Sequence, residues 1–247
     1  MEEADRIDNR GFLSVELEKY QDVYRSTHKD LFAVCEQKSD SVTTRLFQAN
    51  LSKLEGANET HVVVAIGLWL RCVRACQAAL LLLERGLVPE AQALIRSAYE
   101  FLFYAVAALK DPTILDSMWE GDSYARREQA ESILREGREV GALDEEQTER
   151  LTSLIAQLEK GKKQISSYDA AKKAGMAYLY ATVYRGMSFV GAHATLAATN
   201  LMFEPTGEHV SAVFGPSDAD LPFSIGLVDK CIAEGAEHFD SLLHCAD

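Results

Sequence analysis

Arg96 and Glu100 stand four residues apart in AQALIRSAYEFLFYAVAAL, the otherwise apolar run from Ala91 to Leu109. On a helix that spacing puts both on one face, where guanidinium and carboxylate can pair, and Tyr104 continues the stripe one turn further. A packed core does not leave such charges unpaired. With Ser97 beside them, they either lock a buried helix to its neighbour or serve a ligand.

A second polar group lies in YRGMSFVGAHATLAATNLMF, Tyr184 to Phe203, where Arg185, Ser188 and His193 sit among small and apolar residues. Arg185, Phe189 and His193 follow at four-residue steps, while Ser188 lies nearer the Tyr184 side. Ser188 and His193 diverge by about 140° on an ideal helix. That angle argues against a Ser/His nucleophile pair within one straight helix. Gly186 and Gly191 permit a bend or a close helix approach.

Familiar cofactor chemistry is missing from the sequence. It has no glycine-rich phosphate loop after a strand, no HExxH, no paired ExxH and no GxSxG. No metal and no nucleotide cofactor is expected. His209, His238 and His244 lie near Glu208, Glu234, Glu237 and Asp240, but at spacings that match no standard site. The cysteines, Cys35, Cys72, Cys76, Cys231 and Cys245, form no CxxC pair and read as reduced thiols. Cys72 and Cys76, one helical turn apart with no histidine nearby, read as small core residues rather than ligands.

The elements that position these groups are helices. The prolines, Pro89, Pro112, Pro205, Pro216 and Pro222, all fall where helices would begin or end. Apolar spacing predicts helices over 12–36, 41–54, 59–85, 89–110, 111–138, 144–160, 178–203 and 222–245, with breaks at Gly56, Asn58 and Gly141. Gly86 suits a left-handed cap and Pro89 a first turn, so 59–85 and 89–110 should form an antiparallel hairpin. The helices over 111–138 and 144–160 carry charge on several sides and should face solvent. EPTGEHVSAVFGPSDADLP holds most of the turn chemistry and reads as an irregular surface connection or a lid. The expected fold class is an all-α helical bundle of seven or eight helices around that hairpin. It forms one domain, 1–247, with N-terminal helices 1–58, a core 59–203, a loop 204–221 and a C-terminal helix 222–247.

The 247 residues can bury a sizeable core, and a formal net charge of −13 disfavours sequence-independent binding to DNA or to an anionic membrane. Lys160, Lys162, Lys163, Lys172 and Lys173 read as a solvated helix face rather than a basic groove. MEEADRIDNRGF is acidic and lacks an apolar core, which points to a cytoplasmic protein. VVVAIGLWLRCVRACQAALLLL, from Val62 to Leu83, raises a membrane question. Arg71 and Arg74 near its middle favour a buried helix of a soluble bundle.

LxRSxxE over Leu94 to Glu100, its continuation FLFYAVAALKDP, and YxxxSxxxxH over Tyr184 to His193 resemble an uncharacterised bacterial all-helical family known only as a domain of unknown function. The resemblance spans Val62 to Phe203. More distantly, the arrangement is similar to HEPN proteins, helical modules of bacterial toxin and antiviral systems, many of them metal-independent ribonucleases acting as dimers. That likeness implies a homodimer in which His193 acts on the RNA 2'-hydroxyl or leaving oxygen and an arginine stabilises phosphate charge. HEPN sites place arginine and histidine four to six residues apart on a helix. Here seven residues separate Arg185 from His193, and Ser188 stands five before the histidine, so Arg96 would supply the cation from the neighbouring helix. The resemblance thus implies a stress or defence protein acting on RNA, with Arg96, Glu100, Arg185, Ser188 and His193 catalytic and Tyr104 and Tyr184 binding. The competing expectation is a non-enzymatic binding or scaffold protein whose polar cluster fixes packing or receives a small ligand or protein partner.

Overall fold

The computed structural model describes residues 6–49, 59–158, 160–207 and 209–244. Gly56, Asn58, Glu208 and Cys245, which the sequence singled out, lie outside them. Among the described residues the chain is an all-α bundle with one small strand hairpin. A short turn at Ile7–Arg10 leads to α1 (Leu17–Thr27) and α2 (Lys29–Gln48). α3 (Thr60–Leu83) and α4 (Val88–Lys110) follow, then α5 (Ile114–Glu139), α6 (Glu145–Gln157) and α7 (Ser167–Ala174). An irregular helix α8 covers 177–192, and the chain closes with α9 (Leu196–Asn200), β1 (Phe203–Thr206), β2 (His209–Ala212) and α10 (Leu221–His244).

α3 and α4 form the expected central hairpin. Gly86 turns the chain at φ 73, and Pro89 occupies the first turn of α4. A Cβ on Gly86 would stand 2.6 Å from the Tyr24 ring and 2.9 Å from the Ser217 nitrogen, so no other residue fits the packed corner. α4 is buried almost all round, with Ile95, Ala98, Tyr99, Leu102, Phe103 and Val106 fully enclosed. α3 covers one side, α10 another, and α7 and α8 the rest. This central position explains how Arg96 and Glu100, on a mostly apolar helix, meet neighbours from two other elements.

α3 is long and apolar enough to cross a membrane by length and composition. Here its Trp69, Cys72, Val73 and Cys76 are buried. The Arg71 guanidinium lies 5.0 Å from the centre of the Phe101 ring. Trp69 stacks on Phe239 of α10 at 5.4 Å with an interplanar angle of 9°.

The structure corrects several sequence expectations. The helix expected over 12–36 breaks at His28 (φ −113, ψ 28), and α2 runs through the gap expected near 37–40. Arg25 explains the bend: it reaches Glu84 at the end of α3 and Glu36 of α2, both at 2.8 Å, and so draws α1 back across both helices. The helix expected over 178–203 stops at Ala192, because π-turns at Tyr180–Tyr184 and Ser188–Ala192 shift its register and His193 is extended. Thr195 then caps α9 through the Ala198 N–H. The connection expected over 204–221 contains β2, paired antiparallel with β1 from Phe203↔Ala212 to Thr206↔His209. Asp144 caps α6 with a reciprocal Gln147 contact, as its acidic start suggested, but the helix ends at Gln157. The lysine face is also divided: Lys160, Lys162 and Lys163 lie on a connection, Lys172 and Lys173 on α7.

Lys173 ties α7 to the end of α4 by pairing with Asp111. That contact, with the Thr113 hydroxyl, depresses the Asp111 carboxyl to about 2. A depressed carboxylate adds stability that is present above its unfolded value of about 3.9 and fades as pH falls from there toward about 2. Lys173→Ala should return the Asp111 titration toward about 3.9, as read by carboxyl NMR.

Candidate functional site

The site begins with the face α4 turns toward α7 and α8. Arg96 and Glu100 pair directly at 3.1 Å, Nη1 to Oε2, with side chains 19% and 32% exposed. α8 supplies the next groups. Its two π-turns wind Tyr184 and Ser188 onto the same side, and Gly191 lets its end lie against α4. A Cβ on Gly191 would stand 2.9 Å from the Ala93 nitrogen and 3.0 Å from the Pro89 carbonyl oxygen. Side chains are therefore excluded where the helices touch, and polar groups meet just beyond.

Each nitrogen of the guanidinium makes a hydrogen bond. Nε donates to Ser188 Oγ at 3.1 Å, Nη1 to Glu100, and Nη2 to the Tyr184 hydroxyl. The guanidinium carbon also lies 4.5 Å from the centre of the Tyr184 ring. Tyr184 in turn donates to Glu100 Oε1 at 3.1 Å. Ser167, the first residue of α7, donates to the same oxygen at 2.6 Å. The Ser188 hydroxyl proton goes to the Tyr184 carbonyl at 2.7 Å, one turn back.

Burial raises the Tyr184 phenol above its ordinary value, the Ser167 hydrogen bond opposing and the Glu100 charge adding to the effect. It therefore stays protonated at neutral pH and bridges cation and carboxylate. Phe103 and Tyr180 pack on the ring, with centroids at 6.0 and 5.0 Å.

The structure thus brings together Arg96, Glu100, Tyr184 and Ser188. Ser97 turns back on the Ala93 carbonyl. Tyr104 lies outside the network, donating to the Ile165 carbonyl at 2.5 Å, and burial raises its phenol too. Arg185 is exposed. His193 is exposed as well, beyond the end of α8 on the side of α4's first turns, and its imidazole has no hydrogen-bond or ion-pair partner among the described residues. Arg185→Ala and His193→Ala should each leave stability within about 0.5 kcal/mol of wild type in chemical denaturation, as exposed positions do.

Sequence reasoning missed Ser167. The available signal was the cap of α7, where Ser166 accepts from the Asp169 N–H, followed by Ala170, Ala171 and Ala174, whose small side chains let α7 approach α4. Chemically, the network neutralises a cation, and among the described residues the Ser188 hydroxyl donates to a backbone carbonyl rather than to a base. Its Glu100 edge opens outward. There Glu100, Tyr104 and Ser167 line an open groove of about 570 Å³ whose other walls include Phe101, Met118 and Lys163.

With both halves of the network placed, comparison with known proteins adds one fact. A family described as a family of unknown function, DUF5677, matches residues 62–209. The chain belongs to this family. The DUF5677 segment runs from α3 into the strand hairpin, so it contains Arg96, Glu100, Ser167, Tyr184 and Ser188, while all of α10 lies beyond it. No curated protein and no solved structure matches the chain.

Proposed function

We propose that this DUF5677 chain is a non-enzymatic helical binding module. In this reading the Arg96–Glu100–Tyr184 network holds α7 and α8 on α4, and the groove beside Glu100 receives a small ligand or a segment of a protein partner. The observation that carries it is that each of the three guanidinium nitrogens of Arg96 donates within the chain, to Ser188, Glu100 and Tyr184. An arginine so engaged ties α8 to α4, and its carboxylate partner is already in the chain, so a phosphate would have to compete with Glu100 for it. Groove residues of both kinds, Phe101 and Met118 beside Glu100, Ser167 and Lys163, suit a partner of mixed character. A cytosolic setting is part of the proposal and is supported by the free, unpaired thiols of Cys35, Cys72, Cys76 and Cys231.

The test reverses a charge in the groove: Lys163→Glu, at an exposed position, should abolish retention of a partner that wild type retains, while leaving the melting temperature near wild type. Equal retention by both proteins would refute the groove as the binding surface.

A second reading, a HEPN-like protein acting on RNA without a metal, is favoured by one observation: the His193 imidazole is exposed and unpaired among the described residues, on the segment that also carries Ser188. It requires RNA cleavage by wild type that disappears in His193→Ala.

A further inference from the structure

Between α3 and α10, away from the Arg96 network, three thiols face one another. Cys72 and Cys76 stand one turn apart on α3, and Cys231 comes from α10. The Cys72 and Cys231 sulfurs are 3.5 Å apart. All three sulfurs lie within 4.8 Å of one another, and each residue is fully buried. Sulfurs bound to one ion at about 2.3 Å are separated by roughly 3.8 Å in a tetrahedral site and 4.0 Å in a planar trigonal one, so small side-chain adjustments suffice.

The donor set selects the ion. Three sulfurs with no histidine or carboxylate in the group suit a soft, thiophilic cation rather than a hard one. Structural zinc takes four protein donors, and catalytic zinc takes three with a water. Among the described residues no fourth donor joins the group, and complete burial closes it to bulk solvent. Cys35 on α2 is also buried, yet it is not a member of the group.

We propose that Cys72, Cys76 and Cys231 form a three-sulfur site for monovalent copper. Binding forms copper–sulfur bonds, each thiol that ionises releases its proton to solvent, and copper stays in its +1 state throughout. Affinity therefore falls on acidification. The bound ion joins α3 to α10, fastening a helix that lies wholly outside the family-matched segment onto the core.

The experiment titrates Cu(I) into anaerobic, fully reduced, full-length Cys35→Ser/Cys245→Ser protein against a coloured Cu(I) chelator. One equivalent should leave the chelator, X-ray absorption should show sulfur neighbours only, and the melting temperature should rise. Adding Cys231→Ser should weaken binding more than about 100-fold, beyond the loss typical of a residue that merely orients a ligand. Copper that stays with the chelator, or binding that vanishes in the Cys35→Ser/Cys245→Ser background, would overturn the proposal. If Cys231→Ser does not fold, X-ray absorption of the copper-loaded parent decides: nitrogen or oxygen neighbours, or fewer than three sulfurs, overturn it as well.

Discussion

Glu100→Ala should lower the folding free energy by about 2 to 4 kcal/mol, somewhat less than the 3 to 5 lost when one partner of a fully buried pair is removed. The discount follows from the 32% exposure of the Glu100 side chain, which lets water replace part of what is lost. The substitution strands three donors at once: Arg96 Nη1, the Tyr184 hydroxyl and the Ser167 hydroxyl. Tyr184→Phe removes only one bridging hydroxyl and should cost about 1 kcal/mol. Arg96→Met/Glu100→Leu should recover much of the loss, because apolar side chains of similar size replace a buried pair without stranding a charge. Urea unfolding of the four proteins measures all three differences. Recovery in the double variant shows that the loss in Glu100→Ala comes from the stranded charge rather than from missing packing volume.

Gly235→Ala should cost about 3 kcal/mol, at the upper end for overpacking. A Cβ there would stand 2.1 Å from Cζ3 and 2.2 Å from Cη2 of Trp69. The indole has no room to yield: Trp69 is fully buried and stacked on Phe239, which is also fully buried. For a chain of this size the loss corresponds to a fall of roughly 6 to 12 °C in melting temperature, readable by calorimetry. A change below about 2 °C would mean that α10 packs on α3 more loosely than described.

The hairpin of α3 and α4 was legible in the sequence because two long apolar runs flank a Gly86–Pro89 turn, and local chemistry alone dictates that shape. The Arg96–Glu100 pair was legible for the same reason, being four residues apart on one helix. Ser167 was not, because it reaches Glu100 across 67 residues through a short helix whose pattern is too brief to read. The path of α8 was also hidden. Apolar periodicity over 178–203 fits one straight helix, whereas the π-turns arise from packing on α4, where Gly191 touches the Pro89–Ala93 turn. That register change carries Tyr184 and Ser188 to Arg96 and leaves His193 beyond the helix end, which dissolves the single-pocket constellation the sequence suggested. The third thiol escaped notice likewise: Cys231 joins Cys72 from a distance of 159 residues, beyond the reach of any local spacing rule.

The central claim is that the Arg96 network holds the fold together rather than performing chemistry. Its most direct test is thermal stability of wild type, Glu100→Ala and His193→Ala, with RNA cleavage measured on the same preparations. The account predicts a clear drop in melting temperature for Glu100→Ala, none for His193→Ala, and no cleavage by any of the three. Cleavage by wild type that is lost in a Glu100→Ala protein of unchanged melting temperature would contradict it.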